Sequence, residues 1–403
     1  MAQAELDAFR ERARAWLVEN FPPSLKGRMT AFVAEVAEDR AEDVARWREA
    51  MADTGWGVPS WPTRYGGGGL TPAEAGVLRE EMARIGAWNP IGGMGVMMFG
   101  PTLLEYGTEA QKARHLPPIT RGELRWCQGF SEPGAGSDLA GLSTRAEDKG
   151  DHFLVNGQKI WTSGANLADW CFCLVRTDPT RKHEGISFLL IDMRTLGVET
   201  RPIRLISGAS PFCETFFTDV VVPKENLVGP LNAGWGIAKR LLQHERSGIA
   251  AAAQTQRAEA RAQLPELAKE YAGEDEDGRV DMSDLRERII AFETDLRAFQ
   301  LTIARSAAST RARQGPTATA SVLKNVGSFV RRDGAELTSE AMGVHGLGWE
   351  GDPFTDEEIA AVRNLFASKA GGIAGGSQEI QYNIIAKRIL ELPDPLGTAG
   401  RPK

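Results

Sequence analysis

The hydrophobic pattern changes its period twice along the chain. Up to about residue 123 apolar residues recur at helical spacing. Between positions 5 and 18 they fall at Leu6, Phe9, Ala13, Trp16 and Leu17, close to one helical turn apart. Residues 44–51 and 73–85 read the same way, and breakers at Phe21-Pro22-Pro23, Trp61-Pro62 and residues 66–69 separate them. Thr71-Pro72-Ala73-Glu74 has the form of a helix start. A hydroxyl caps, proline sits where its missing N–H costs nothing, and glutamate returns the bond.

From about residue 124 to 223 the period falls to two. Phe153, Val155 and Gly157 alternate with polar or turn residues, and Asn156-Gly157 is a dipeptide favoured in hairpin turns. Apolar segments come next at 170–178, 185–193, 198–206 and 214–223, with Pro and Gly between them. The connections leave no room for crossover helices, so a small antiparallel sandwich or barrel is expected. Helical spacing returns at residue 234, over 234–268, 284–313, 318–342 and 377–392. These lengths suit a bundle, and the acidic run Glu274-Asp275-Glu276-Asp277-Gly278 reads as a solvated loop. The expected fold is α+β in three domains: helical at 1–123, an antiparallel β-barrel or sandwich at 124–230, and a four-helix bundle at 231–403.

Charge and composition narrow the partners. Lys and Arg number 47 against 54 Asp and Glu, a net charge of −7 over 403 residues. That balance disfavours nucleic acid or an anionic membrane as main partner. No apolar run reaches membrane-spanning length, and the opening MAQAELDAFRERARAWL lacks the apolar centre of a secretory signal. Four cysteines cannot make a disulfide framework, which fits a reducing, cytoplasmic setting. Cys171 and Cys173 would share one strand face with Phe172 on the other, a core arrangement rather than a ligand pair. No pair among the five histidines has helical ligand spacing, and no metal site is expected.

The 44 glycines invite a nucleotide fingerprint, but none is complete. Gly134-Ala135-Gly136-Ser137-Asp138-Leu139 opens like G-x-G-x-x-G and ends on leucine. Residues 371–376 have Walker spacing, followed by Ser377-Gln378 where Lys-Ser or Lys-Thr is needed. There is no G-x-S-x-G elbow.

Three segments carry candidate chemistry. Phe130 to Asp138 combines hydroxyls with a backbone-exposing glycine loop; it is either an irregular loop or a cradle for a flat ligand. Lys159-Ile160-Trp161-Thr162-Ser163 ends a strand with an indole and two hydroxyls, either a buried strand end or one wall of an aromatic cofactor. After Gly234, one helical stripe runs Ala238, Leu241/Leu242, Glu245, Gly248/Ile249, Ala252, with Glu245 its only charge. A carboxylate on an apolar stripe must be paired, protonated or functional. His244 or Arg246 would supply a structural pair; the other reading is a general base.

The order FSEPGAGSDLAGL, NGQKIWTSGANLADW, His244-Glu245-Arg246, GGSQEIQYNIIAKRIL resembles the FAD-dependent acyl-CoA dehydrogenases over nearly the whole chain. Within them it is most similar to the bacterial branch that includes pimeloyl-CoA and steroid side-chain dehydrogenases. The resemblance implies FAD, and oxidation of an acyl-CoA thioester to the 2-enoyl-CoA. It implies Gln128, Phe130, Ser131 and Gly136 along the flavin, Trp161 beside the isoalloxazine, and Thr162 and Ser163 at its N5/O4 edge. Gly343 would join these contacts, with Ser377 and Glu379 near the pyrophosphate. Ser137, Arg246, Gly375 and Gly376 would meet the acyl-CoA.

Two departures matter. Many family members carry the base as Glu in E-G-T, where this chain has Gly375. A minority place it in an E-R dipeptide on the first bundle helix, and Glu245-Arg246 matches. The R-x-x-F-G by which family homotetramers reach a neighbouring FAD is absent, Lys269 to Glu274 standing there instead. The resemblance therefore leaves a homo-oligomer or an α2β2 heterotetramer with a second acyl-CoA dehydrogenase chain, and an electron-transfer flavoprotein as acceptor. A subunit with a decayed site and a flavin monooxygenase on the same fold are the competing readings. Met94, Met97, Met98 and Phe99 could line an acyl cavity, though a core role suits them better.

Overall fold

The computed structural model describes residues 3–26, 40–243, 263–312 and 319–393. The chain groups into two compact units, residues up to 203 with 211–244, and 204–210 with 245 onward.

The first unit opens with helices α1 (Gln3–Asn20), α2 (Ala41–Asp53), α3 (Pro72–Ile85), a π-helical turn (Gly95–Phe99), α4 (Gly100–Tyr106) and α5 (Glu109–Thr120). The α3 start forms as the sequence demands: Thr71 N donates to Glu74 Oε2 at 2.9 Å, and Glu74 N to Thr71 Oγ1 at 3.3 Å. Thr108 and Gln111 make the same box at α5. Between α1 and α3 the buried Glu81 accepts from Arg10, Arg14 and Arg84 at 2.8–3.0 Å. Three guanidiniums, the Arg14 bond foremost, hold its carboxyl down at about 2 despite burial.

Seven strands come after the helices: β1 (Trp126–Gly129), β2 (Arg145–Asp148), β3 (His152–Ser163), β4 (Trp170–Arg176), β5 (Ile186–Asp192), β6 (Val198–Ile203) and β7 (Phe212–Pro223). They order as β1-β4-β2-β3-β7-β6, with β5 on β4. β1 and β2 both run parallel to β4, so the sheet is mixed, not strictly antiparallel. The β2–β3 hairpin forms the excursion that brings the chain back in parallel, a connection that needs no helix. Asn156-Gly157 is not a turn. It lies inside β3 at a bulge between Val155 and Gly157, and the β2–β3 turn is Lys149-Gly150-Asp151, closed by Lys149 N on His152 O at 2.9 Å. A Cβ at Gly157 would stand 2.5 Å from Thr144 Oγ1, so close strand approach explains the glycine.

β4 and β5 are buried on both faces, which is why they read as unbroken apolar runs. One face carries Phe172 and Phe188 into a core shared with the helices, where Phe99 stacks on Trp126 at 3.9 Å. The other carries Cys127, Cys171 and Cys173 against Phe153, Val155 and Val220. All four cysteines are buried and unbridged, as the core reading expects. Met98 and Phe99 are core; Met97 is exposed. The unit ends in α6, helical over 234–243, with Ala238 and Leu241 fully buried.

The second unit contains α7 (Gln263–Ala272), α8 (Ser283–Ala312), α9 (Thr319–Ala341), α10 (Asp356–Ser368) and α11 (Gln378–Arg388). α9 is its axis, packing against the other four. α10 is not among the four expected stretches, although Thr355-Asp356-Glu357-Glu358 announces it with a capping box. The acidic run is an ordered turn: Asp275 accepts from Arg279 at 3.0 Å and from the N–H groups of Asp277 and Arg279.

Candidate functional site

In the first unit the glycine loop is tied to β3 by a buried ion pair. Glu132 Oε1 accepts from Lys159 Nζ at 2.7 Å, with Lys159 fully buried. The remaining carboxylate capacity is used by Ser143 N at 2.6 Å, Ser143 Oγ at 2.8 Å and Thr144 N at 2.9 Å. Lys159 also donates to Phe130 O at 3.2 Å, and Ile160 N to Ser131 O at 2.9 Å. Burial pushes the Glu132 carboxyl up, but the Lys159 charge and these bonds outweigh it and hold it at about 2. Arg176 fixes the segment after the loop by donating to the carbonyls of Ala140, Leu142, Arg181 and Lys182.

This anchoring presents Trp161. Its φ is +60°, a left-handed conformation uncommon for a bulky residue, at a register break between Lys159 and Thr162. The indole is 52% exposed rather than buried, a stacking surface at the end of β3. Ser163 is half-buried, while Thr162 is fully buried and its hydroxyl meets no partner. The two hydroxyls are therefore split: Ser163 can reach a ligand and Thr162 is enclosed by protein.

The rest of this set lies close by in sequence and differs in access. Gln128 and Ser131 are half-buried, and Ser137 is exposed. Phe130 is 4% exposed and packs edge-on against Phe172 and Phe188, so its ring belongs to the core. Gly134 and Gly136 border open space, where an added Cβ would meet nothing within 4 Å. An exposed indole, a half-buried hydroxyl and a loop without side-chain bulk fit a flat aromatic cofactor such as a flavin.

In the second unit Gly375 and Gly376 form a left-handed turn, φ +67° and +92°, just before α11. Ser377 caps α11, accepting from Ile380 N at 3.4 Å. Glu379 bonds its own N–H first and then the Ser377 hydroxyl, which hold its carboxyl below the usual range. That carboxylate competes with a phosphate for the helix start. Gly343 lies just beyond the far end of α9. Lys324, which contacts Gly376, is 19 residues away, about 28 Å along a helix. One chain thus does not bring Gly343 together with Ser377. Glu245, His244 and Arg246 lie outside the described residues, as do the stripe positions Gly248, Ile249 and Ala252.

Sequence reading missed Glu132, Lys159 and Arg176. Each sits in or beside a quoted motif, but only pairing across strands makes it a partner. Among the described residues no group of three potential metal ligands occurs, and no helix is long and apolar enough to cross a membrane.

Known proteins share this plan. The acyl-CoA dehydrogenase N-terminal, middle and C-terminal domain models match residues 3–123, 127–220 and 232–390. The chain is 35% identical to the acyl-CoA dehydrogenase IpdE1 of Mycobacterium tuberculosis, over 96% of this chain and 98% of that protein. Among solved structures it is similar to the Tcur3481-Tcur3483 steroid ACAD, with a TM-score of 0.78 and 29% identity over 98% and 99% of the two chains. It is also similar to the ChsE4-ChsE5 complex from Mycobacterium tuberculosis, with a TM-score of 0.76 and 29% identity over 98% and 99%. With full-length likeness and all three domain models in order, the chain belongs to the acyl-CoA dehydrogenase family, FAD-dependent oxidoreductases that act on a CH–CH bond of acyl-CoA.

Proposed function

We propose that this chain converts an acyl-CoA thioester to its 2-enoyl-CoA with Glu245 as the α-proton base, on a three-domain plan of 1–123, 124–230 and 231–403. The observation that carries the assignment is the turn at Gly375, where many relatives place the base and this chain offers only backbone. In the sequence Glu245 follows Leu241 by four residues as Leu241 follows Ala238 by three, and Ala238 and Leu241 are buried on α6; this spacing supports the choice of Glu245. An apolar setting raises a carboxyl toward the working pH, which a base needs. Glu245 takes the α-proton, and the C–H electron pair becomes the new double bond as the β-hydrogen leaves with its own pair. FAD, when bound, supplies the acceptor for that hydride. Trp161 offers a stacking surface for its ring and Ser163 a hydroxyl for its polar edge. Gln128, Ser131 and Gly136 border the same edge, and N–H groups at Gly375 and Gly376 hold the thioester oxygen.

The expected result is that Glu245→Gln keeps FAD and loses turnover by about three orders of magnitude or more. Substantial residual dehydrogenase activity in that variant would sink the base assignment.

We further infer assembly with a second acyl-CoA dehydrogenase chain and a bulky, steroid-derived acyl group. The likeness to the Tcur3481-Tcur3483 steroid ACAD and to the ChsE4-ChsE5 complex supports this, as does the missing R-x-x-F-G. Gly343, a helix length from Ser377, is suited to a flavin held by another chain. One FAD per chain and full turnover in the protein purified alone would overturn the two-chain reading. A panel of acyl-CoA thioesters tests the substrate class.

A further inference from the structure

Lys324 reaches from α9 to the carbonyl of Gly376, at the entry to α11. A trans peptide points its N–H opposite to its C=O. Holding that oxygen toward α9 therefore turns the N–H of Ser377 away from α9. Among the described residues this N–H meets no backbone acceptor. Helix geometry leaves the N–H groups of the first turn behind it without intrahelical partners as well. A cation on a peptide oxygen also polarises the N–H of the same peptide.

The charges at this helix start conflict. Glu379 stands in the first turn of α11, where its carboxylate opposes a bound phosphate. Its own N–H and the Ser377 hydroxyl hold that carboxyl below the usual range, and the Lys324 charge adds to them. The attraction is mutual, since Glu379 opposes the burial that lowers the Lys324 ammonium. One cation thus acts on both the peptide and the carboxylate. Gln381 is 2% exposed and lays its amide against the same turn, with Nε2 donating to Gly375 O at 2.9 Å and Oε1 left without a partner. Buried polar atoms are seldom left unsatisfied in a finished structure. Spare donors beside a spare acceptor suit a ligand that carries both phosphate oxygens and hydroxyls.

We propose that Lys324 is a positioning residue for FAD: it aims the Ser377 N–H at the pyrophosphate and offsets the Glu379 charge, so that a helix start bearing an acid still accepts a diphosphate. Lys324 acts through the Gly376 carbonyl and needs no contact with the cofactor. This rests on the reading that Ser377 lies near the pyrophosphate. It concerns how the cofactor is held, not a step of the oxidation.

The test titrates the flavin-free protein, with its partner chain if one is needed, with FAD and with riboflavin, which has the ring and the ribityl chain but no phosphate. Lys324→Met should raise the Kd for FAD about tenfold, as loss of a charge-assisted bond does, and leave that for riboflavin unchanged. Lys324→Arg keeps the charge and should bind FAD nearly as the parent does. Glu379→Gln added to Lys324→Met should recover most of the FAD affinity, because no carboxylate is left to offset. An unchanged Kd for FAD in folded Lys324→Met overturns the proposal. Equal weakening of FAD and riboflavin overturns it too, since that marks a general loosening of the turn. Should Lys324→Met not fold, Lys324→Gln, which still donates one neutral bond, must show a smaller rise confined to FAD, and no rise is equally fatal. Ser377→Pro separates this proposal from the reading beneath it. Ser377 has φ −57°, which proline adopts, so the variant removes the N–H with little strain. Ser377→Ala removes the hydroxyl alone. If Ser377→Pro binds FAD more weakly than Ser377→Ala while Lys324→Met matches the parent, the pyrophosphate reading survives and only the role of Lys324 fails. If Ser377→Pro and Ser377→Ala bind FAD alike, the pyrophosphate reading fails as well.

Discussion

Two glycine-bearing segments, one in each unit, are fastened in opposite ways. The loop at Gly134 and Gly136 hangs on a buried ion pair, with Glu132 receiving bonds from Lys159, Ser143 and Thr144. Among the described residues the turn at Gly375 and Gly376 is held through its carbonyls, and the buried amides of Gln381 and Asn325 keep unused atoms. A satisfied buried charge network fixes a surface that must not move. A turn with spare donors leaves bonds for something else to complete. The first is what a stacking wall for a rigid ring needs, and the second suits a bond that strengthens only as charge develops on a substrate.

Breaking the first fastening should have the largest effect. Lys159→Met leaves Glu132 buried without its counter-charge and should cost about 3–5 kcal/mol in denaturant unfolding, with loss of FAD affinity. The double variant Glu132→Gln, Lys159→Met should recover a good part of that stability. Were Lys159→Met nearly neutral, the contrast between the segments would collapse.

Acid should separate the pair from the aromatic core behind it. His115 is 1% exposed among Trp126, Trp170 and Phe99, and burial, then the Arg114 charge, bring it down to about 4. The folded state thus favours the neutral ring. Its contribution is complete above the ordinary value of 6.5 and is lost as pH falls toward 4. At roughly 1.4 kcal/mol per pH unit this amounts to about 3 kcal/mol. Glu132 and Glu81, held near 2 from an ordinary 4.5, lose theirs in the lower window between those values. His115→Phe should flatten the stability profile between pH 6.5 and 4 and leave the lower window steep.

Smaller effects sharpen the second segment and the split hydroxyls. Ser377→Ala removes the α11 cap and should cost about 1 kcal/mol, measured by thermal unfolding. Thr162→Val replaces a buried hydroxyl that has no partner, so it should be neutral or stabilising by up to about 1 kcal/mol, with FAD titration unchanged. Ser163→Ala should instead weaken FAD binding measurably. If the two variants behave alike, the division between enclosed Thr162 and accessible Ser163 is wrong.

Local signals were legible in the sequence where a local cause is sufficient. The capping box at Thr71 and the shared face of Cys171 and Cys173 need only neighbouring residues and helix or strand geometry, and both formed. Asn156-Gly157 misled because the same dipeptide that suits a tight turn also suits a bulge, and pairing with β7 decides between them. α10 lies outside the expected stretches although its cap is written in Thr355 and Glu358 and its 13 residues include Ile359, Val362, Leu365 and Phe366 at helical spacing.

The sequence by itself determined the helical, β and helical order of the chain, its family likeness, the buried cysteines and the absence of a carboxylate at position 375. These arise from periodicity, composition and residue identity, which are properties of short stretches. Tertiary structure alone decided that β1 and β2 run parallel to β4, that Trp161 is presented outward while Thr162 is enclosed, that Glu132 finds Lys159, and that Lys324 grips Gly376 across 52 residues of chain. Each of these depends on which groups meet when distant segments pack. A buried charge or a backbone carbonyl must find its partner wherever the fold places one, and no local pattern records that address.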